Sequence, residues 1–269
     1  MYGSYCIGED MFQKWILCDF HIHTSFSDGI LSLTEVVDLY GQHGFDVIGI
    51  SDHIVDEKWR QKSLSMNRKS WWIEPDQISL YFHAIWAEAK RAWKKYRMLV
   101  IPGAELTNNS HCYHILAIDI KDYIQPDASV ERIVSQIHNQ GGIAVVPHPH
   151  RRAADGSQEI MYIWNNQMRF VNLFDAWEVA NRDDLFNVVG LKKFNYIANS
   201  DFHKPRHLFS WKTLLLCDKN PEAVKAVIRD NSGVSIYLFR PDKNIKKNNN
   251  IENIDIKKMN SSRNCILQL

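Results

Sequence analysis

The chain lacks any CxxC pair. Its five cysteines, Cys6, Cys18, Cys112, Cys217 and Cys265, are odd in number and scattered. That excludes a zinc ribbon, argues against a disulfide frame and reads as reduced thiols in a cytoplasm. No apolar stretch approaches the ~20 residues that cross a bilayer. The opening MYGSYCIGEDMFQKWILC carries acidic residues and no signal-peptide core. The expected location is cytoplasmic, without a membrane partner. Net charge is also nearly absent, at +1. Proteins that grip a long phosphate backbone usually show a basic stripe, so long nucleic acid is not expected. A small phosphate substrate stays open.

What is present is an ordinary globular composition, 45% hydrophobic and 23% charged over 269 residues. A chain of this size buries roughly three quarters of its surface on folding, enough for a substantial core. Met11 stands just before the first apolar run, so residues 1–10 are expected to be a dispensable extension. From Arg240 the chain turns Asn- and Lys-rich and loses its aromatics, so 241–269 is expected to be a solvated, disordered tail. A single domain over 1–240 is the expected organisation.

Within it, short apolar runs alternate with helical patterns. Strands are expected at 15–23, 46–51, 98–106, 114–118, 143–147, 175–180, 194–200, 213–217 and 234–239. SLTEVVDLYGQHG (32–44) reads as a helix capped by Ser32 or Thr34 and ended by Gly44. Residues 76–96 repeat apolar side chains at three and four, which predicts a long amphipathic helix with Phe82, Trp86 and Trp93 on its core face. Helices are also expected at 129–142 and 221–230, the second opening on Pro221. Strand and helix repeated about eight times predict parallel strands closed into a (β/α) barrel, with an open doubly wound sheet as the rival.

The apolar strands repeatedly end in metal-ligating residue types. The first ends in His21 and His23, the second in SDH up to His53, the next in PGAE with Glu105. VVPHPH delivers His148 and His150, and IANSDFH delivers Asp201 and His203. In a parallel barrel all carboxyl ends open on one face, where active sites form. Residues i and i+2 of a strand point the same way, so His21 and His23 present two imidazoles side by side, as Asp201 and His203 repeat. Imidazole mixed with carboxylate suits Zn, Mn or Fe(II), whereas an all-oxygen shell suits Mg or Ca. Singly, each residue has a bland reading: Glu105 as a helix cap, Asp28 as the turn residue of SFSDG. Together the five segments favour a metal site.

The motifs DFHIHTSFSDG, SDH, PGAE, HILAI, PHP and SDFH, in this order and spacing, resemble the polymerase and histidinol phosphatase (PHP) domain family over residues 15 to about 217. The resemblance implies an α/β fold, a distorted (β/α)7 TIM-like barrel with its metal site at the C-terminal ends of the strands. It implies two or three divalent ions (Zn, Mn or Fe). His21, His23, Glu105 and Asp201 correspond to ligands of one metal; Glu105 bridges to a second, completed by His114 and His148; Asp28, His53 and His203 correspond to a third. His114 is preferred over His111 because it directly precedes ILAI, as in the family. Asp19 and Asp52 read as partners that orient imidazole N–H groups.

Such a site suits hydrolysis of a phosphomonoester or nucleotide by a water activated between metals. Glu105 and Asp201 anchor the metals at the reacting centre. Arg151, Lys204 and Arg206 follow the histidine motifs and are candidates to grip phosphate oxygens. His150 and His207 are candidates to protonate the leaving group. The tryptophan-rich stretch 54–75 is read either as a lid offering Arg60, Arg68, Trp71 or Trp72 to the substrate or, preferably, as cover for the barrel rim. The expected partner is a small phosphorylated molecule, a nucleotide or short oligonucleotide included, with oligomeric state left open. The alternatives are an amidohydrolase-type metal hydrolase and a non-catalytic metal-stabilised interaction module.

Overall fold

The computed structural model describes residues 14–67, 71–149, 151–152, 159–182, 184–185, 194–241 and 266–267. In chain order the strands and helices are β1 (Trp15–Ile22), α1 (Leu33–Gln42), β2 (Val47–Ile50), β3 (His53–Val55), α2 (Glu57–Ser65), α3 (Ile78–Tyr96), β4 (Leu99–Asn108), β5 (Tyr113–Ile118) and α4 (Val130–Asn139). There follow β6 (Ile143–Val146), the short pair β7 (Arg151–Arg152) and β8 (Glu159–Ile160), and the single-turn helices α5 (Tyr162–Asn165) and α6 (Gln167–Phe170). The last elements are β9 (Ala176–Asn181), β10 (Asp184–Leu185), β11 (Tyr196–Asn199), β12 (Trp211–Leu216), α7 (Pro221–Asp230), β13 (Val234–Leu238) and β14 (Ile266–Leu267).

Local signals account for the helix ends. Ser32 caps α1 and closes a capping box with Glu35, which satisfies two otherwise unpaired donors of the first turn. Ser129 caps α4, and Asn220 caps α7 just before Pro221. Gly141 follows α4 with φ +82°, a conformation that a Cβ would strain.

The strands form a mixed α/β barrel that is nearly closed. β1 pairs with β2 and β2 with β4, all parallel. β3 continues the line of β2 past Ser51 and Asp52 and pairs parallel with β4 from His53 to Val55. β6 pairs parallel with β9, and β9 with β11. The ring closes where Phe202 bridges Ile22: Phe202 N donates to His21 O at 3.0 Å, and His23 N to Phe202 O at 2.8 Å. β12 flanks β1 antiparallel and carries β13 and β14 outside the ring.

Two expectations are corrected. The strands are not all parallel. β5 runs antiparallel to both β4 and β6, because the link from Asn108 to Tyr113 is too short for the crossover of a dozen residues or more that a parallel pair requires. The barrel has seven staves, the number the resemblance implies, with β12 and β13 outside it. On α3, Phe82 is buried, but Trp86 is 37% and Trp93 44% exposed. The core-facing stripe is Ile78, Tyr81, Phe82, Ile85 and Ala92. The two tryptophans lie at its edge, where their spacing alone placed them inside.

The reversal of β5 has a consequence for the site. His114 sits at the start of its strand, whereas His21, His23, His148 and His203 lie at or just past the ends of theirs and His53 just past the end of β2. An antiparallel stave brings its start to the mouth where its neighbours end.

Candidate metal centre

The mouth is built from the strand ends upward. Phe20 and Ile22 point into the core and are fully buried, leaving His21 and His23 on the other face of β1. The chain then turns back through SFSDG. Gly29 is required there, since a Cβ would clash with the His23 carbonyl oxygen. The turn returns Asp28 to His23, Oδ1 to Nδ1 at 3.6 Å. β4 delivers Glu105 across the barrel.

Glu105 is the pivot of the arrangement. Its Oε2 lies 3.1 Å from His21 Nε2, 3.2 Å from His23 Nε2 and 3.3 Å from His53 Nδ1. Its Oε1 lies 2.7 Å from His114 Nδ1 and 3.0 Å from His148 Nε2. Asp201 Oδ1 approaches His21 and His23 Nε2 at 3.5 and 3.4 Å. Asp28 Oδ2 lies 3.0 Å from His203 Nε2, and its Oδ1 3.7 Å from His53 Nε2. The structure thus brings together all nine residues singled out as ligand candidates. His111 is apart, its Nδ1 against Asn108 Oδ1 at 3.1 Å.

Among the described residues three overlapping donor groups have ligand atoms within 4.8 Å of one another: His21, His23 and Glu105; Glu105, His114 and His148; and His23, Asp28, His53 and His203. The donors fit divalent cations. Both ring nitrogens of His23 and Nε2 of His114 are buried without a hydrogen bond, a costly state for polar groups unless something binds there. Nitrogen and carboxylate oxygen in one shell match borderline ions.

The charges show the same demand. Burial works against a charge on His21, but the carboxylates of Glu105, Glu178 and Asp201 outweigh it and hold its pKa well above the ordinary value. His23 is likewise pushed up to about 9 against burial, by the close carboxylates of Asp201, Glu105 and Asp28. Burial depresses His53 to about 3. Burial also opposes charge on Glu105, but the rings of His21, His53 and His114 hold it well below the carboxylate range. Protons on His21 and His23 occupy positions that a metal cation would take.

The orienting partners differ from those expected. Asp52 accepts from Thr24 N, Thr24 Oγ1 and Ser27 Oγ, at 2.7, 2.8 and 2.6 Å. Asp19 accepts from Tyr40 Oη, Ser200 N and Ser200 Oγ, at 2.8, 3.0 and 2.6 Å. Both brace the backbone around the site, and neither holds an imidazole. That work falls to Glu178 on β9. Its Oε1 accepts from His21 Nδ1 at 2.9 Å and from Asn199 Nδ2 at 2.8 Å. Its Oε2 accepts from His148 N and Asn181 Nδ2, each at 2.8 Å. Thr107 Oγ1 meets His53 Nδ1 at 2.7 Å. Glu178 passed unnoticed in DAWEVA; a carboxylate amid apolar strand residues was the available signal.

Arg182 was also missed. Its Nη2 lies 2.9 Å from Asp201 Oδ2 and 3.3 Å from His203 Nδ1. Arg182, Asp201 and His148 all have positive φ, at 51°, 47° and 29°, strain of the kind that gathers at functional sites. Lys204 and Arg206 fall on the turn after His203, Lys204 half-buried and Arg206 exposed. His207 is buried there, and its Nδ1 accepts from His203 N at 3.2 Å. That bond implies a neutral ring with its proton on Nε2, and burial pushes its pKa down to about 4. His150 and Arg68 lie outside the described residues. Arg151 contributes its backbone to β7, and its side chain is likewise outside them.

No family model matches the chain. An uncharacterised protein of Methanocaldococcus jannaschii is 21% identical over 186 residues, 65% of this chain and 89% of that protein. Among solved structures, the barrel superposes on a two-domain protein from Bacteroides vulgatus that contains a predicted PHP-like metal-dependent phosphoesterase. The TM-score is 0.64 at 19% identity, over 89% of this chain and 69% of the other. The two share a fold. A more distant similarity is to an amidohydrolase from Chromobacterium violaceum with bound sulfate and no metal, at TM-score 0.46 and 17% identity over 70% and 88% of the two chains. Among the described residues no helix is long and apolar enough to cross a membrane.

Proposed function

We propose that the chain is a metal-dependent phosphoesterase acting on a small phosphate ester. The observation that carries this reading is Glu105: its two oxygens face two different sets of histidines, the arrangement of a carboxylate that bridges adjacent cations. In this reading His21, His23, Glu105 and Asp201 hold one divalent ion, Glu105, His114 and His148 a second, and Asp28, His53 and His203 a third.

Divalent ions bound there would supply Lewis acidity, lowering the pKa of water and neutralising phosphoryl oxygens. The chain's own residues do the positioning. Glu178 holds His21 by Nδ1, which leaves Nε2 facing Glu105 and Asp201. The same carboxylate fixes the His148 backbone through its amide. Arg182, already against Asp201 and His203, is placed to take a phosphate oxygen by charge-assisted hydrogen bonding. Lys204 and Arg206 attract the anion at the rim. Zn, Mn and Fe all suit the donor set.

The test is phosphate release by the Mn²⁺-loaded protein from sugar phosphates, histidinol phosphate, nucleoside mono- and bisphosphates and short oligonucleotides, beside a Glu105→Gln variant. Turnover that vanishes in the variant is the expected result. No release from any ester, with metal bound, would overturn the reading.

A further inference from the structure

Across the mouth, the rings of His53, His23 and His203 form a corner with His23 at its apex, its centroid 4.4 Å from His53 and 4.2 Å from His203, and 6.4 Å between those two. Arg182 stands at the His203 end. On the His53 arm stands Trp71. Its ring meets the His53 ring edge to face, with centroids 5.0 Å apart and planes at 87°.

Trp71 is held in place by its neighbours. Trp72 is buried beside it, with centroids 5.7 Å apart, and donates from Nε1 to Glu74 Oε1 at 3.0 Å. Arg60 Nη1 holds Glu74 from the other side at 2.9 Å. Ile73 is buried, and its N–H donates to the His53 carbonyl at 2.9 Å. Arg60 and Trp72 are therefore structural, and Trp72 covers the rim. Trp71 remains half-exposed beside the ring of a ligand candidate. An aromatic face fixed at a polar mouth offers a stacking surface that any planar ring can use.

We infer that Trp71 is the specificity-determining contact of the site, a platform for a planar ring carried by the leaving group of the ester. The preferred substrates are then ring-bearing phosphates, aryl or nucleoside, over sugar and alkyl phosphates. The phosphoryl group lies within the corner of the three histidines, the guanidinium of Arg182 holds the His203 side of it, and the ring of the leaving group turns toward Trp71 beside His53. The short span from Trp71 to His53 suits a ring only a few bonds from phosphorus. This inference rests on the phosphoesterase reading, which supplies the phosphoryl position.

The test uses non-hydrolysable ligands, so that binding is read apart from turnover. The full chain loaded with Mn²⁺ is titrated calorimetrically with phenylphosphonate, the methylene phosphonate analogue of AMP, and methylphosphonate. Wild type is compared with Trp71→Leu, which keeps apolar bulk, and Trp71→Phe, which keeps a π face. Metal content and melting temperature are measured on each. The expected result is that Trp71→Leu weakens a ring-bearing ligand roughly tenfold, leaves methylphosphonate unchanged, and is largely rescued by Trp71→Phe. Whichever ring-bearing ligand shows the effect distinguishes an aryl from a nucleoside source. Equal weakening of methylphosphonate, or no ring preference in wild type, overturns the inference. Trp71-dependent ring binding with no phosphate released from any ester would retain the platform and sink the phosphoesterase reading. Phosphate release without ring preference would do the reverse.

Discussion

Nδ1 of His21 donates to Oε1 of Glu178 at 2.9 Å beneath the cluster, both side chains being fully out of water. The bond fixes which imidazole nitrogen faces Glu105. Partners of this kind typically control metal affinity by ten- to a hundredfold. Glu178→Gln is therefore expected to weaken metal binding by roughly that factor; its amide nitrogen would face the donors His148 N–H and Asn181 Nδ2, so the melting temperature is recorded beside the affinity. Competition with a chelating dye checks this, and an unchanged affinity would remove Glu178 from the metal's support.

Glu105→Gln removes the charge that two donor groups share. Loss of at least one metal equivalent is expected by elemental analysis of the purified variant. Retention of full stoichiometry would show that Glu105 does not bridge.

The raised pKa values of His21 and His23 imply a pH dependence for the metal-free protein. A histidine whose folded pKa exceeds its unfolded value stabilises the fold fully below the unfolded value, 6.5 here, and loses that contribution as pH rises through the folded one. For His23 the window runs from 6.5 to about 9. His53 and His207 are shifted the opposite way, and their linkage acts only below 6.5. Melting temperature in EDTA should thus fall between pH 6.5 and 9. Metal affinity should rise over the same range, because bound metal displaces protons. A flat chelated profile would contradict the charge assignment.

Arg182 pairs with Asp201, while Arg206 is exposed. Charge-assisted hydrogen bonds contribute about 1.5–3 kcal/mol, so Arg182→Ala should lower kcat/KM for a phosphate ester by roughly ten- to a hundredfold. Arg206→Ala, at the rim, should cost severalfold at most and respond to ionic strength. A larger effect from Arg206 would reverse their order.

The two faces of α3 give a control on packing. Phe82→Ala should destabilise by about 3–5 kcal/mol as a buried aromatic deletion. Trp93→Gln, at a side chain 44% exposed, should change stability by only about 0.5 kcal/mol. Denaturant titration separates the two, and a large cost at Trp93 would place it in a contact the structure does not show.

Much of this molecule was legible before folding was considered. Alternation and apolar runs located the staves, and β12 and β13 beside them, to within one or two residues, and Ser32, Ser129 and Pro221 marked helix starts, because these signals are local. The pairing of His21 with His23 follows from the two-residue repeat of a strand, and the recurrence of histidine and carboxylate at strand ends pointed to one mouth. Strand direction was not legible at β5, since an apolar run carries no sign of which way its neighbours run. That choice was made by the short turn after Asn108 and by sheet closure. Nor were the partners of the imidazoles legible. Glu178 lies 157 positions from His21, and only the order of staves around the ring brings them into contact, while Asp19 and Asp52, nearest in sequence, turn to Ser200 and Thr24. Spacing along a chain determines which residues share a face. Which face meets which is decided by closure of the barrel, which brings carboxylates and rings together from residues the sequence holds far apart.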